Sequence, residues 1–300
     1  RGFERDYRAL RRLVANPDRL SSYPLRLRLP RGVDHRYLII TSGELAACEG
    51  EFNLQALAAD KQARGITTAI EIMENIRAAY EGVDDAEKVR NFIRHMYENE
   101  GTDYVLLAGD ADLEEVGGES GPVVVPVRGL WGNIEYGSDE LNIPSDLYYA
   151  CLDGTFNADL DSVWGEETDD VDLLAEVLVG RAPADSCAEV SNFVRKTLAY
   201  QNNLDDHLKS VWLAGEWLAP DQYASQYLEP LRDGSWLGNG FLSGFNENTF
   251  FEVDTLYDAG VCEKDCWGPE EILEVMNGDI HILHHCGHSY TNYNMRVTCD

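Results

Sequence analysis

"DDAEKVRNFIRHMYENEGTDYVLLAGD", residues 84–110, decides the fold. Two acids open it, where a first helical turn favours negative charge. Apolar residues then recur at Val89, Phe92, Ile93 and Tyr97, the spacing of one helix face, before a stop at Gly101. "DYVLLAGD" follows as a short apolar run of strand length with Asp110 at its C-terminal end. A helix leading directly into a buried strand is the repeating step of an α/β fold.

The rhythm extends outward in both directions. "RYLIITS" (36–42) and "ITTAIEIM" (66–73) read as strands, with the helical pattern "FNLQALAADKQARG" (52–65) between them. Residues 111–170 interrupt the alternation with a loop, "VVVPVRG", "IPSDLYYACLDG" and the acidic stretch "NADLDSVWGEETDD". Regularity returns with "LAEVLVGRAP" as a strand and "CAEVSNFVRKTLAYQNN" as a helix. "KSVWLAGEW" is a strand ending at Glu216, "QYASQYLEPLRDG" and "PEEILEVMNGD" are helices, and "IHILHH" is a last strand. Strands alternating with helices imply parallel pairing and right-handed crossovers. The expected fold class is α/β, with doubly wound, mostly parallel sheets and helices on both faces. Two tandem α/β subdomains are expected: 34–204, with the acidic insertion at 111–170, and 205–300. A basic helix and connector over 1–33 holds nine arginines in the first 32 residues.

Charge narrows the partners. The chain has 54 acidic and 24 basic residues, a formal net charge of −30. Such a surface repels phosphate backbones and anionic lipid, so neither nucleic acid nor a membrane surface is an expected partner. No apolar run approaches the roughly 20 residues that span a bilayer. The start "RGFERDY" and the ending "RVTCD" read as a piece of a longer chain, and no secretion signal is visible in it. Seven cysteines are not expected to form a paired framework, although Cys262 and Cys266 are close enough either to close a short loop or to stay thiols.

Ligands of open parallel sheets gather beyond the C-terminal strand ends. Asp110, Glu216, and His285 or His288 all fall there, and a carboxylate at one strand end can orient an imidazole at another. Four of the seven histidines, His281, His284, His285 and His288, crowd into eight residues. "HHCGH" is a zinc candidate, but a strand would spread ligands spaced by four residues, and no second ligand cluster accompanies it. His281 reads as structural, and His284 and His285 point to opposite faces. Asp153, Asn157, Asp159 and Asp161 offer the oxygen ligands that calcium prefers, without the glycine and glutamate of the helix–loop–helix calcium signature.

The ordered set "YLIIT", "VRNFIRHMYENEGTDYVLLAGD", "IPSDLYYACLDG", "EVLVGRAPA", "VWLAGE" and "HHCGHS" resembles the gingipain-type cysteine peptidases of the caspase-like clan, from about Asp34 to the end. The resemblance implies a caspase-like fold, protein or peptide substrates, secretion or a bacterial cell-surface location, and a structural calcium, with no cofactor needed for catalysis. It implies His288 of the Gly287–His288 pair as catalytic base, with Ser289 where the family commonly has a second glycine. Glu216 matches the acid assisting that base. A main-chain N–H at Ser289 or the Gly287 turn is the oxyanion candidate. Asp221 is the nearest candidate for the acid that reads a basic substrate residue, and its alternative reading is a helix N-cap ahead of "QYASQYL".

The nucleophile is expected one crossover further on, at the end of the next strand. Cys299 follows His288 by eleven residues with no apolar strand before it, and Cys286 lies between histidines. The sequence is therefore expected to stop before its nucleophile, leaving a fragment inactive alone. The alternatives are a catalytically silent surface or secretion-associated domain of the same fold, and a zinc hydrolase using "HHCGH".

Overall fold

The computed structural model describes residues 2–3, 25–26, 36–111, 123–134, 138–169, 171–202, 206–237, 240–242, 244–247, 250–262, 264–290 and 292–298. The helix read over 1–33 falls outside them, apart from a short parallel ladder of Gly2–Phe3 with Leu25–Arg26. Cys299 also lies outside the described residues. The described chain divides into two compact units, one ending at Gln201 and the other beginning at Asn202.

In the first unit, strands β1 (Tyr37–Thr41), β2 (Thr68–Ile72), β3 (Tyr104–Ala108) and β4 (Leu178–Ala182) form a parallel sheet in the order β2-β1-β3-β4. Placing the first strand inside reverses the winding direction, as in doubly wound sheets. β1 and β3 are buried over four of their five residues, which is why they read as continuous apolar runs rather than alternating ones. Helix α1 (Leu54–Ala63) starts where the Asn53 side chain accepts from the Ala56 N–H. Helix α2 (Asp85–Asn99) starts where Asp84 accepts from the Glu87 N–H at 2.9 Å. It buries Val89, Phe92, Ile93, Met96 and Tyr97, each large apolar side chain contributing about 1.5–3 kcal/mol. Gly101 ends it with φ of 78°.

The interrupting segment is ordered by arginines. An antiparallel pair, Arg128–Ile134 with Ser138–Ser145, stands where a loop is read. Arg128 forks onto both oxygens of Asp84 and lies 3.7 Å over the Trp164 ring. Arg90, on the buried face of α2, bonds the carbonyls of Tyr148, Cys151 and Gly154. Arg181 in β4 forks onto Asp146 at 2.7 and 2.8 Å and bonds the carbonyls of Gly109, Val125 and Pro126. "SDLYY" and "VGRAP", which carry much of the family resemblance, are thus the two halves of one structural bracket.

A disulfide joins Cys48 to Cys187 at the start of helix α3 (Cys187–Asn202), and a second joins Cys262 to Cys266. The reading that the cysteines lack a paired framework is corrected: their spacing gives no hint that positions 139 apart meet.

The second unit holds a three-stranded parallel sheet of β5 (Ser210–Gly215), β6 (Glu252–Tyr257) and β7 (Ile282–Cys286), in the order β6-β5-β7. Again the first strand is central. β6 is not anticipated from the sequence, although "EVDTLY" alternates exposed Glu252 and Asp254 with part-buried Val253 and Thr255. Alternate residues feed two separate apolar layers. Val211, Leu213, Val253, Tyr257, Ile282 and Cys286 pack with Leu228 of the helix Ser225–Asp233. Ala214, Leu256 and Leu283 pack with Trp267 and with Ile272 of the helix Pro269–Asn277.

Candidate functional site

Glu216 follows the last residue of central strand β5, at the switch point of the second unit's sheet. Register decides its neighbours. Tyr257 of β6 and Cys286 of β7 both pair with Gly215, so the next residues on either side, Asp258 and Gly287, flank Glu216. The Glu216 N–H donates to the Cys286 carbonyl at 3.1 Å, and the Asp258 N–H to the Gly215 carbonyl at 3.0 Å. Glu216 is not a solvated loop residue, since its side chain is 3 % exposed.

The carboxylate is bonded on both oxygens. Oε1 faces His285 Nε2 at 2.9 Å, and Oε2 accepts the main-chain N–H of His288 at 3.2 Å. His288 Nδ1 lies 3.5 Å from Oε2, and its ring is 56 % exposed. Burial pushes the Glu216 pKa up, but the bond from His285, the His288 N–H and the nearby Arg296 charge outweigh it, so the net shift is downward. Glu216 is therefore an anion beside an exposed imidazole. The ring contact at 3.5 Å is an ion-pair distance rather than a hydrogen bond; drawn closer, such a carboxylate can accept Nδ1–H and leave the opposite nitrogen, Nε2, to act as a base.

Gly287 is required by close approach. A Cβ there would lie 2.6 Å from Glu216 Cγ and 2.5 Å from His285 Nε2. A side chain at this position would have to displace Glu216, His285 or the backbone of the turn.

Behind the acid lies a second, fully buried carboxylate. Asp258 is 0 % exposed and accepts from the N–H groups of Trp217 and Cys266 at 2.7 and 2.8 Å. Arg296 bonds both of its oxygens, at 3.2 and 2.6 Å, and lies over the Trp267 ring. Burial pushes the Asp258 pKa up, yet the Arg296 bond and the two N–H donors bring it net below its ordinary value. Met295 and Arg296 form the two-residue turn between Tyr293–Asn294 and Val297–Thr298, with φ of 52° and 63°. Left-handed backbone at both positions is normally left to Asn and Gly, and here the Asp258 pair offsets its cost. Neither Asp258 nor Arg296 is singled out by the sequence; the one signal is that Asp258 ends an alternating strand.

The other candidates disperse. His284 is exposed on the opposite face of β7, and His281 precedes the strand, its ring edge-on to His207. Asp110 lies in the first unit, where Oδ1 accepts from the Ala111 N–H at 2.6 Å and the carbonyl closes the loop to Val124 and Val125. The N-cap reading of Asp221 is overturned. Pro220 and Asp221 form the turn joining Trp217–Ala219 to Gln222–Tyr223, with Asp221 exposed at φ of 61°, and the N-cap of the following helix is Ala224. Ser289 Oγ bonds Asn294 Oδ1 at 2.9 Å.

Among the described residues, no three His, Cys, Asp or Glu side chains gather as metal ligands would. That removes geometric support from a zinc site in "HHCGH". The calcium candidates take part in the loop's own hydrogen bonds. Asn157 donates to the Asp161 carbonyl, Asp159 accepts from the Asp161 N–H, and Asp161 accepts from the Val163 N–H. The loop's organising carboxylate is instead Asp169, 0 % exposed, which accepts from the N–H groups of Ala158, Gly165 and Glu166.

Two cysteines among the described residues are free thiols. Cys151 is buried in the first unit, and burial with nearby Glu176 pushes its pKa up to about 11. Cys286 is pushed up by burial and by the Glu216 charge. Neither is a ready thiolate.

Comparison with curated proteins and with solved structures gives no match. A model of peptidase family C25 does match, over residues 32–297, a span that contains every residue of the strand-end cluster. With nearly its whole length inside that match, the chain belongs to peptidase family C25, the gingipain family of cysteine peptidases in the caspase-like clan.

Proposed function

We propose that the second unit carries the acid–base half of a cysteine endopeptidase site, with His288 as base and Glu216 as the acid that orients it. One observation carries this reading: the buried Glu216 carboxylate lies at a strand end against both the main chain and the ring of an exposed histidine. Nδ1 of His288 faces the anion, on a side chain that is 56 % exposed. His288 Nε2 takes the proton of a thiol, raising its thiolate fraction, and the thiolate attacks the scissile carbonyl. The imidazolium then returns that proton to the leaving amine as the acyl-enzyme forms. Since the free thiols of the described residues do not suit the role, the attacking sulfur belongs to a cysteine outside them.

The oxyanion donor is not the His288 N–H, which is committed to Glu216. Asp221, exposed on the hairpin directly after the acid, is the proposed reader of a basic substrate side chain. Support for protein or peptide substrates comes from the family. Secretion or cell-surface display is likewise proposed from the family alone.

The test uses the protein expressed from its complete reading frame and a set of peptides ending in Arg, Lys or neutral residues before the scissile bond. His288→Ala is expected to lower kcat/KM by about 10³-fold while leaving the melting temperature near wild type. Wild-type activity retained in the variant would remove His288 from the role of base, and a wild-type chain that cleaves none of the peptides would end the peptidase reading in favour of a silent domain of the same fold.

A further inference from the structure

Glu216 serves two imidazoles, and they are not equivalent. His285 meets Oε1 at 2.9 Å from a ring 12 % exposed, whereas His288 presents Nδ1 at 3.5 Å from a ring 56 % exposed. Strand alternation places the first ring: Leu283 and Ala214 share an apolar layer with Trp267, and His285 and Glu216 continue the same two rows. Trp267 stands edge-on to His285 at 6.2 Å, filling one side of its pocket. An ionised carboxylate has no proton to donate, so the His285 bond requires the proton on Nε2 of that ring. His285 is the one side chain hydrogen-bonded to Oε1 among the described residues, and Arg296 Nε lies 4.0 Å from that oxygen, beyond hydrogen-bond range. The rest of that guanidinium is committed to Asp258, the Trp267 carbonyl and Asp265.

We propose that His285 is a positioning residue for this site: by donating Nε2–H to Oε1 it fixes the rotation of the Glu216 carboxylate, so that Oε2 faces His288 and selects the Nδ1–H form of that ring. The inference rests on the peptidase reading for its catalytic meaning, but its geometric content is observable without turnover. The groups facing Glu216 are His285, Cys286 and His288 from β7 and its turn, and Tyr293 and Arg296 from the following hairpin. Asp258 stands behind, paired with Arg296.

The experiment is long-range ¹H–¹⁵N correlation of the histidine-labelled chain through a pH titration, with the Glu216 carboxyl carbon followed in parallel. In the wild type, neutral His285 is expected to carry its proton on Nε2 and neutral His288 on Nδ1. His285→Phe is expected to shift His288 toward the Nε2–H form and to raise the Glu216 midpoint by about one pH unit. His285→Gln, which keeps an N–H donor, is expected to restore the His288 form. A wild-type His285 protonated on Nδ1, or a Phe variant that moves neither His288 nor Glu216, overturns the proposal. The wild-type measurement decides the matter even where a variant fails to fold. Wild-type rings protonated as expected in an enzyme that cleaves nothing would sink the peptidase reading and leave the positioning role standing.

Discussion

Each unit carries a carboxylate held by cationic or imidazole side chains, and the two clusters are finished differently. In the first, Arg181 bonds both oxygens of Asp146 and three main-chain carbonyls, so its donors are consumed inside the fold. In the second, Glu216 is equally well held, but the chain of contacts ends in a ring 56 % exposed, with Nε2 bonded to nothing among the described residues. A saturated cluster stabilises a fold, whereas one that leaves a nitrogen unspent can do chemistry. The resemblance motifs straddle both kinds, so a motif shared with a family does not by itself mark a catalytic residue.

The contrast makes quantitative demands. The largest effect expected is the 10³-fold fall in kcat/KM of His288→Ala, about 4 kcal/mol of transition-state stabilisation, with little change in melting temperature. Arg181→Ala should do the reverse. Leaving the mostly buried Asp146 without its partner is expected to cost about 3 kcal/mol in denaturant unfolding of the first unit. A variant in which the melting temperature hardly moves would erase the distinction. Gly287→Ala falls between, because the added Cβ collides with the acid and His285. It should lower kcat/KM at least tenfold and unfolding stability by about 1–3 kcal/mol.

Acid tests the carboxylates of the second unit. Glu216 and Asp258 both have folded pKa values below their ordinary 4.5 and 3.8. Their contribution to stability is therefore fully present above those values and is lost as pH falls through the lower folded ones. Melting temperature followed from pH 7 downward should begin to lose these contributions only below the ordinary values of 4.5 and 3.8, and Asp258→Asn should flatten the drop below 3.8 even as it lowers stability at neutral pH. The smallest effect is on specificity. Asp221→Asn is expected to reduce cleavage after Arg or Lys relative to neutral residues by about tenfold, without altering stability, since the side chain is exposed at a turn. An unchanged ratio would remove Asp221 from substrate recognition.

Much of this was legible in the residues. The spacing of Val89, Phe92, Ile93 and Tyr97 gave helix α2, and the short apolar runs gave β1, β3, β5 and β7, because burial on one face or two imposes its own period on a sequence. Glu216 and His288 were reachable as strand-end residues. His285 was visible only as one of two adjacent histidines of opposite facing, and the structure settles which one faces inward. Strand β6 escaped because its acids interrupt the apolar pattern, and Asp258 and Arg296 escaped with it. The disulfide between Cys48 and Cys187 lay beyond reach because loop closure over that separation leaves no local trace.

The sequence by itself determined the α/β class, through periodicities that are local properties, and the family, through its ordered motifs; strand-end position drew attention to the two side chains now proposed for acid–base work. Tertiary structure decided which side chains share an oxygen. A one-residue offset in the register of β5 against β7 would move Gly287 from beside Glu216 and turn alternate residues to the other face. Hydrogen bonds act over about 3 Å, and no linear pattern specifies distances of that size between positions some seventy residues apart.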